Sequence, residues 1–239
     1  MLPGTVLCVP RTEAIRYAAR YLADSGITVT EKCDPDVTHA LLPVPSFSKG
    51  DEYLAHLLTR LPDDVIISGG NLHSPLLEGY CCVDFLQDPY YLAANAAITA
   101  ESAVKILETQ LVTDLKSKCV LVIGWGRIGK CLCPILKSKG AHVTAAARKV
   151  SDLAMIHALG YSCTNISDSE TDQFDIILNT VPVLLFPKIQ VKPGCILMEL
   201  ASKSGMTGQN IYDGRGLPGK ISPMKSGKLI AETFLRLCK

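Results

Sequence analysis

The sequence predicts an α/β protein of two domains: an N-terminal flavodoxin-like α/β domain and a C-terminal Rossmann-type dinucleotide-binding domain, joined by long helices. Three observations carry this. Short apolar runs alternate with helical periods along the chain, the pattern of strands and crossover helices. At 239 residues the chain exceeds one working domain of roughly 150 residues. An apolar strand at 119–123 also runs straight into Gly124-x-Gly126-x-x-Gly129, the turn that in such folds meets a pyrophosphate.

The elements follow in order. Strand 5–9, helix 11–23 closed by Gly26, strands at 27–30 and 40–42, helix 52–60 and strands 65–68 and 81–84 build a small parallel sheet with helices on its faces. Apolar positions 92, 96, 103, 107 and 111 keep helical spacing, which predicts a long linking helix. A second unit opens at Cys119 and continues with strand 142–146, helix 152–159 closed by Gly160, strand 175–178 and strand 196–200. After a Gly/Pro-rich stretch, 214–223, a last helix turns Leu229, Ile230, Phe234 and Leu237 toward a core. The expected domains are 1–92 on the substrate side, a linking helix 93–111, and 112–222 for the dinucleotide. Helix 223–239 is expected to pack back on the first domain or the linker. Pro134 removes a backbone donor inside the first helix of the second domain, so a kink or a short first segment is expected there.

Composition narrows the function. The 24 Lys+Arg balance 23 Asp+Glu, and 48% of residues are apolar, which excludes disorder as the main state. Without a basic run, nucleic acid is not an expected partner. The start lacks a basic region followed by an apolar core, and no run approaches the ~20 apolar residues of a membrane span. These features predict a cytoplasmic protein with no membrane association. Ten cysteines are too few for a disulfide scaffold. Several, Cys8, Cys82, Cys119 and Cys195, sit in strand-like runs and read as small hydrophobes. Cys131 and Cys133 have no second pair at ligand spacing, so no metal is expected.

The glycine motif carries the chemistry. Gly124 permits the tight turn, Gly126 leaves room for a pyrophosphate against backbone N–H groups, and Gly129 lets the helix approach the strand. Trp125, Arg127 and Ile128 complete this set of candidate cofactor contacts. An NAD site places an Asp or Glu about 20 residues beyond the glycines, but here Arg148 and Lys149 occupy that stretch. A guanidinium and an ammonium suit a 2′-phosphate where a carboxylate would repel it, so the expected cofactor is NADP.

Two further strands end in polar groups on the side where open α/β sheets bind ligands. Asn179, Thr180, Val181 and Pro182 close one strand, and Leu200 and Ala201 lead from the next to Ser202 and Lys203. Lys225 stands at the start of the last helix. Together these make a pocket for a carboxylate-bearing substrate. In the first half, Gly70 and Asn71 end a strand and Thr99 lies on the long helix.

The blocks VLVIGWGRIGK, GAHVTAAARK, DIILNTVP, ELASKSG and GLPGKISPMKSGKLIAETFL, with GGN at 69–71 and NAAITAE at 95–101, make the chain from about Gly69 onward similar to the A subunits of bacterial dipicolinate synthase. The resemblance implies oxidation of dihydrodipicolinate to dipicolinate, with NADP+ accepting hydride, in the cytoplasm of the sporulating mother cell. It also implies a partner, the flavoprotein-like B subunit of dipicolinate synthase, and a homo-oligomer is compatible with it. On this reading Lys203 and Lys225 hold the carboxylates of a small dicarboxylate substrate, while Gly70, Asn71, Thr99 and Ser202 position its ring. Two alternatives stay open: another two-domain NADP-dependent dehydrogenase of an amino or hydroxy acid, and a non-catalytic NADP(H)-binding regulatory subunit.

Overall fold

The computed structural model describes residues 4–47, 52–111 and 114–238. The chain divides into two compact units, one formed by residues up to Asn95 together with those from Pro218 onward, the other by Ala96–Leu217.

The first unit is built on β1 (Thr5–Cys8), β2 (Val29–Thr30), β3 (Val37–Leu41), β4 (Ile66–Gly69) and β5 (Cys81–Asp84). All pair in parallel in the order β2-β1-β3-β4-β5, the flavodoxin-like order. A parallel sheet must be covered on both faces, so its strands read as continuous apolar runs; Val6, Leu7 and Cys8 are all buried. On one face lies α1 (Glu13–Asp24), which starts where Thr12 accepts a hydrogen bond from Ile15 N and which buries Ala14, Ile15, Ala18 and Leu22. Beside it packs α7 (Pro223–Leu237), with Ile230, Ala231 and Phe234 in the same core. The two helices touch at Gly227, where a Cβ would come within 2.5 Å of Ala14 O and of Tyr17 Cβ. The other face is covered by α2 (Glu52–Leu58), through Leu54, Leu57 and Leu58.

The second unit holds β6 (Cys119–Ile123), β7 (His142–Ala147), β8 (Ser162–Asn165), β9 (Ile176–Asn179), β10 (Ile196–Glu199) and β11 (Ile211–Asp213). The sheet is parallel throughout, in the order β11-β10-β9-β6-β7-β8. Counting from β6 as the first strand, this is the 3-2-1-4-5-6 order of dinucleotide-binding sheets read from the other edge. Helices α4 (Arg127–Ser138) and α5 (Val150–Ala158) connect its first three strands.

The division between units falls inside α3 (Pro89–Ile106), which passes into π-helical turns over Leu107–Leu111. Ala96, Ala103 and Leu107 are buried as their spacing requires; the side chain of Leu111 lies outside the described residues. Several local expectations need correction. α4 runs unbroken through Pro134, so no short first segment forms. Pro134 and Lys130, whose carbonyl loses its donor, both lie on the exposed side of the helix, where water can replace the missing bond. The Gly/Pro-rich stretch contains a short helix, α6 (Leu217–Ile221). All ten cysteines are free thiols, but Cys82 is exposed on the edge strand rather than packed as a core hydrophobe. Burial pushes the Cys8 and Cys133 thiols up to about 12, which makes both poor nucleophiles at neutral pH.

Candidate dinucleotide site

β6 delivers the chain to Gly124, whose φ of +103° belongs to glycine and whose N–H donates to Ala146 O at 2.9 Å. A Cβ there would meet Thr180 Oγ1 at 2.5 Å and Val181 Cγ2 at 2.7 Å, and a Cβ on Gly129 would strike the Gly124 carbonyl oxygen. At Gly126, the N-cap of α4, a Cβ would meet nothing within 4 Å. The space beside Gly124 and Gly129 is therefore filled by protein, and the space beside Gly126 is open. α4 begins with no side-chain cap and no acid in its first turn, leaving its leading N–H groups to face that space, as anion-binding helix starts do. Arg127 is exposed and Ile128 half-buried beside it. Trp125, a candidate cofactor contact, turns its side chain into the fold. The residue is 8% exposed and its ring packs 6.2 Å from that of Tyr161, while Lys137 Nζ sits 4.8 Å from the tyrosine ring's centroid. The tryptophan ring buttresses the turn.

Arg148 and Lys149 follow the last residue of β7. Both are exposed, and neither side chain makes a hydrogen bond or ion pair among the described residues. Lys149 is the N-cap of α5 without a side-chain bond, and the acid in that helix's first turn is Asp152.

On the other flank, β9 and β10 end side by side in a buried polar knot. Asn179 Nδ2 donates to Val181 O (3.0 Å) and to Glu199 Oε1 (2.8 Å), and Val181 N donates back to Asn179 Oδ1 (3.1 Å). Both amide hydrogens of Asn179 are used within the protein, and the residue is fully buried, so its side chain shapes the loop. Thr180 Oγ1 donates to Ile123 O at 2.9 Å, pinning this loop to the end of β6. Glu199 also accepts from Ala201 N (3.1 Å) and Gly205 N (2.8 Å), which sets the turn that exposes Ser202 and Lys203 while Leu200 and Ala201 are buried. Glu199 is a residue that sequence reasoning misses. Its signal is present, since an acid closing the apolar run Ile196–Glu199 must find donors if it is buried. Val181 is half-buried and Pro182 exposed.

The remaining candidates lie apart in the chain's organisation. Thr99 belongs to the second unit but is buried on α3. Gly70, Asn71 and Lys225 belong to the first unit. Gly70 is a packing position, since a Cβ there would lie 2.5 Å from Val44 Cγ1. Asn71, exposed and left-handed at φ 60°, is held by Asp84, whose carboxylate accepts from Asn71 N (3.1 Å), Leu72 N (2.9 Å) and Leu86 N (2.8 Å). Lys225 is exposed in the first turn of α7. A cavity of about 320 Å³, lined among others by Cys119, His142 and Cys163, opens at the starts of β6–β8, the edge opposite the glycine turn.

No family model and no curated protein sequence matches this chain. Solved structures do. The A subunit of dipicolinate synthase from Bacillus halodurans superposes with a TM-score of 0.83 at 20% identity, over 99% of this chain and 98% of that one. Its counterpart from Bacillus subtilis gives 0.76 at 20% identity, over 99% and 95%. The D-lactate dehydrogenase of Escherichia coli gives 0.63 at 14% identity, over 99% and 96%. The chain has a dehydrogenase-like fold. Open α/β sheets take their ligands at the carboxyl edge, the edge where Gly126, Arg148 and Thr180 lie. Among the described residues, no helix is long and apolar enough to cross a membrane.

Proposed function

We propose that the chain is the NADP-dependent subunit of an oxidoreductase that converts dihydrodipicolinate to dipicolinate in the cytoplasm of a sporulating cell. The observation that carries the cofactor reading is the pair Arg148 and Lys149, exposed at the end of β7 with no carboxylate in their place, beside an open glycine turn. The residues fit the phosphorylated carrier. Gly126 leaves its backbone side open, α4 starts uncapped, and the two cations suit a 2′-phosphate that an acid would repel. The blocks in which the sequence resembles the A subunits of dipicolinate synthase, and the similar fold of two of them, support the substrate reading. A B subunit is the partner this reading calls for.

When bound, the oxidised nicotinamide supplies the hydride acceptor. The chain's own residues do the rest. The leading N–H groups of α4 hold the pyrophosphate, and Thr180 and Val181 wall the crevice against the glycine turn. Arg148 and Lys149 grip the adenosine end. Ser202 and Lys203, presented by the turn that Glu199 fixes, bind a carboxylate of the small dicarboxylate and so orient its ring. Loss of a hydride and a proton makes that ring aromatic, which drives the step.

Two measurements test this. Trp125 is the one tryptophan of the chain and lies in the glycine turn, so its fluorescence follows dinucleotide binding. Arg148→Asp is expected to weaken NADPH about ten- to a hundredfold, the value of a charge-assisted hydrogen bond, and to spare NADH; equal loss for both overturns the cofactor assignment. Dihydrodipicolinate and NADP+ added to the chain, with and without a B subunit, are expected to yield dipicolinate and NADPH absorbance. Tight NADPH binding without turnover in either mixture rejects the enzyme in favour of a regulatory subunit.

A further inference from the structure

The loop that follows β9 keeps three apolar residues in succession at the surface. Pro182, Val183 and Leu184 are all exposed, the last two at 56% and 51%. Consecutive exposed apolar residues are unfavourable in water unless something covers them, so such a run marks a functional surface. Looseness of the loop does not account for it. Val181, Leu185 and Phe186 on either side pack into the core of the second unit. Leu185 N and Phe186 N both donate to Gly205 O, at 2.8 and 3.1 Å, and Thr207 N donates to Phe186 O at 3.0 Å. The chain is tied down before and after the run, and only the side chains between stand out.

The residue that pins this loop also brings in charge. Gly205 N donates to Glu199 Oε2 at 2.8 Å, and a Cβ on Gly205 would come within 2.7 Å of Val181 O and 2.9 Å of Val183 O. The loops after β9 and β10 therefore lie against each other at Gly205. Ser202 and Lys203 stand just before that contact, both exposed, and neither side chain makes a hydrogen bond or ion pair among the described residues. An apolar lip and an unpaired ammonium with a hydroxyl thus neighbour each other at the carboxyl edge of β9 and β10, all within the second unit.

We propose that Val183 and Leu184 form an apolar wall that covers one face of the substrate's ring while Lys203 holds its carboxylate, so that this edge selects planar ring acids over open-chain ones. The wall deepens the substrate reading given above and rests on it for the place of the acid. The chemistry is complementary. A flat ring acid has carbon faces that shed water against branched aliphatic side chains, and at its rim a carboxylate that an ammonium on a long side chain meets with a charge-assisted hydrogen bond. An open-chain diacid offers the charge without the face.

The test uses the full chain and titration calorimetry in the presence of NADPH. The ligands are dipicolinate, glutarate, which has the same number of atoms between its carboxylates but no ring, and benzoate, a ring with one carboxylate. Leu184→Ser is expected to weaken dipicolinate about three- to tenfold, as for losing the burial of half a leucine side chain, and Val183→Ser to weaken it somewhat less. Glutarate binds the wild type more weakly and neither serine variant moves it, whereas Lys203→Gln weakens both diacids. NADPH affinity, read from Trp125, stays at the wild-type value in the serine variants, and their urea midpoints show that the fold is kept. Wild-type dipicolinate affinity in both serine variants, or a wild type that takes glutarate as tightly as dipicolinate, overturns the wall and leaves the substrate reading standing. A fall in NADPH affinity in Leu184→Ser also overturns it, by placing the leucine against the cofactor. Benzoate bound through Leu184 by a wild type that refuses dipicolinate sinks the substrate reading and keeps the wall. Refusal of all three acids overturns both.

Discussion

One added methyl group has opposite consequences at Gly126 and Gly129. At Gly129 it meets the Gly124 carbonyl oxygen, a backbone atom that cannot move without opening the strand-to-helix turn. Gly129→Ala is therefore expected to cost about 2–3 kcal/mol of stability, seen as a lower urea midpoint, and to lose NADPH binding with it. At Gly126 the methyl enters open space, and φ is −83° there, so Gly126→Ala is expected to keep stability within about 0.5 kcal/mol. The methyl would still fill the approach of a pyrophosphate, so NADPH affinity falls at least about tenfold. A Gly126→Ala variant with unchanged affinity would remove the turn from the binding site. The glycine turn is legible in the sequence because it depends on near neighbours and fixed spacing. Glu199 and Asp84 are not, because each acquires its role from a partner brought up by the fold: Asn179 lies 20 positions from Glu199, and Asn71 lies 13 from Asp84.

Elements are legible in proportion to how much apolar surface they bury. β6, α1 and α4 follow from long apolar patterns with evident starts. β8 and β11 do not, since Ser162–Asn165 is polar and Ile211–Asp213 is only three residues long, and both lie at sheet edges, where one side needs no apolar partner. Apolar spacing places the start of α3 three residues late for a related reason. Its start signal is Asp88, which accepts from Tyr91 N at 2.6 Å and from Arg236 Nη2 at 2.6 Å. The second partner comes from the far end of the chain. The hydrogen bond from Arg236 is the main cause holding the Asp88 carboxyl below its ordinary 3.8. A carboxyl with a depressed folded pKa adds stability that is fully present above the unfolded value and is lost as the pH falls through the folded one. Asp88→Asn keeps the capping oxygen and removes the charge. Because Arg236 is 41% exposed, the expected loss is modest, about 1 kcal/mol at neutral pH. The gap between variant and wild type in urea titrations is expected to close below about pH 3.8. A gap that persists in acid would show that the ion pair is not its source.

At the scale of the whole molecule, the sequence carries two sheets and a final amphipathic helix, but amphipathicity states only which face is buried and never against what. That α7 belongs to the first unit follows from shape, from Gly227 meeting α1 and Phe234 reaching the sheet. His39 marks this junction. It sits on β3, is 8% exposed, and meets the Phe234 ring edge-on at 5.6 Å, so the last helix closes over a residue of the first sheet. Burial lowers its pKa from 6.5, which means the folded chain holds this imidazole neutral. As the pH falls below about 6.5, the unfolded chain takes up a proton that the folded chain refuses, and stability drops until the lowered folded pKa is passed. His39→Asn cannot titrate. The urea midpoint of the wild type is therefore expected to fall more steeply than that of the variant between about pH 7 and pH 5, with the two lines parallel above that range. Parallel lines throughout would mean that His39 takes up its proton in the folded chain as readily as in the unfolded one, and that the contact of α7 with the first sheet does not exclude water from it.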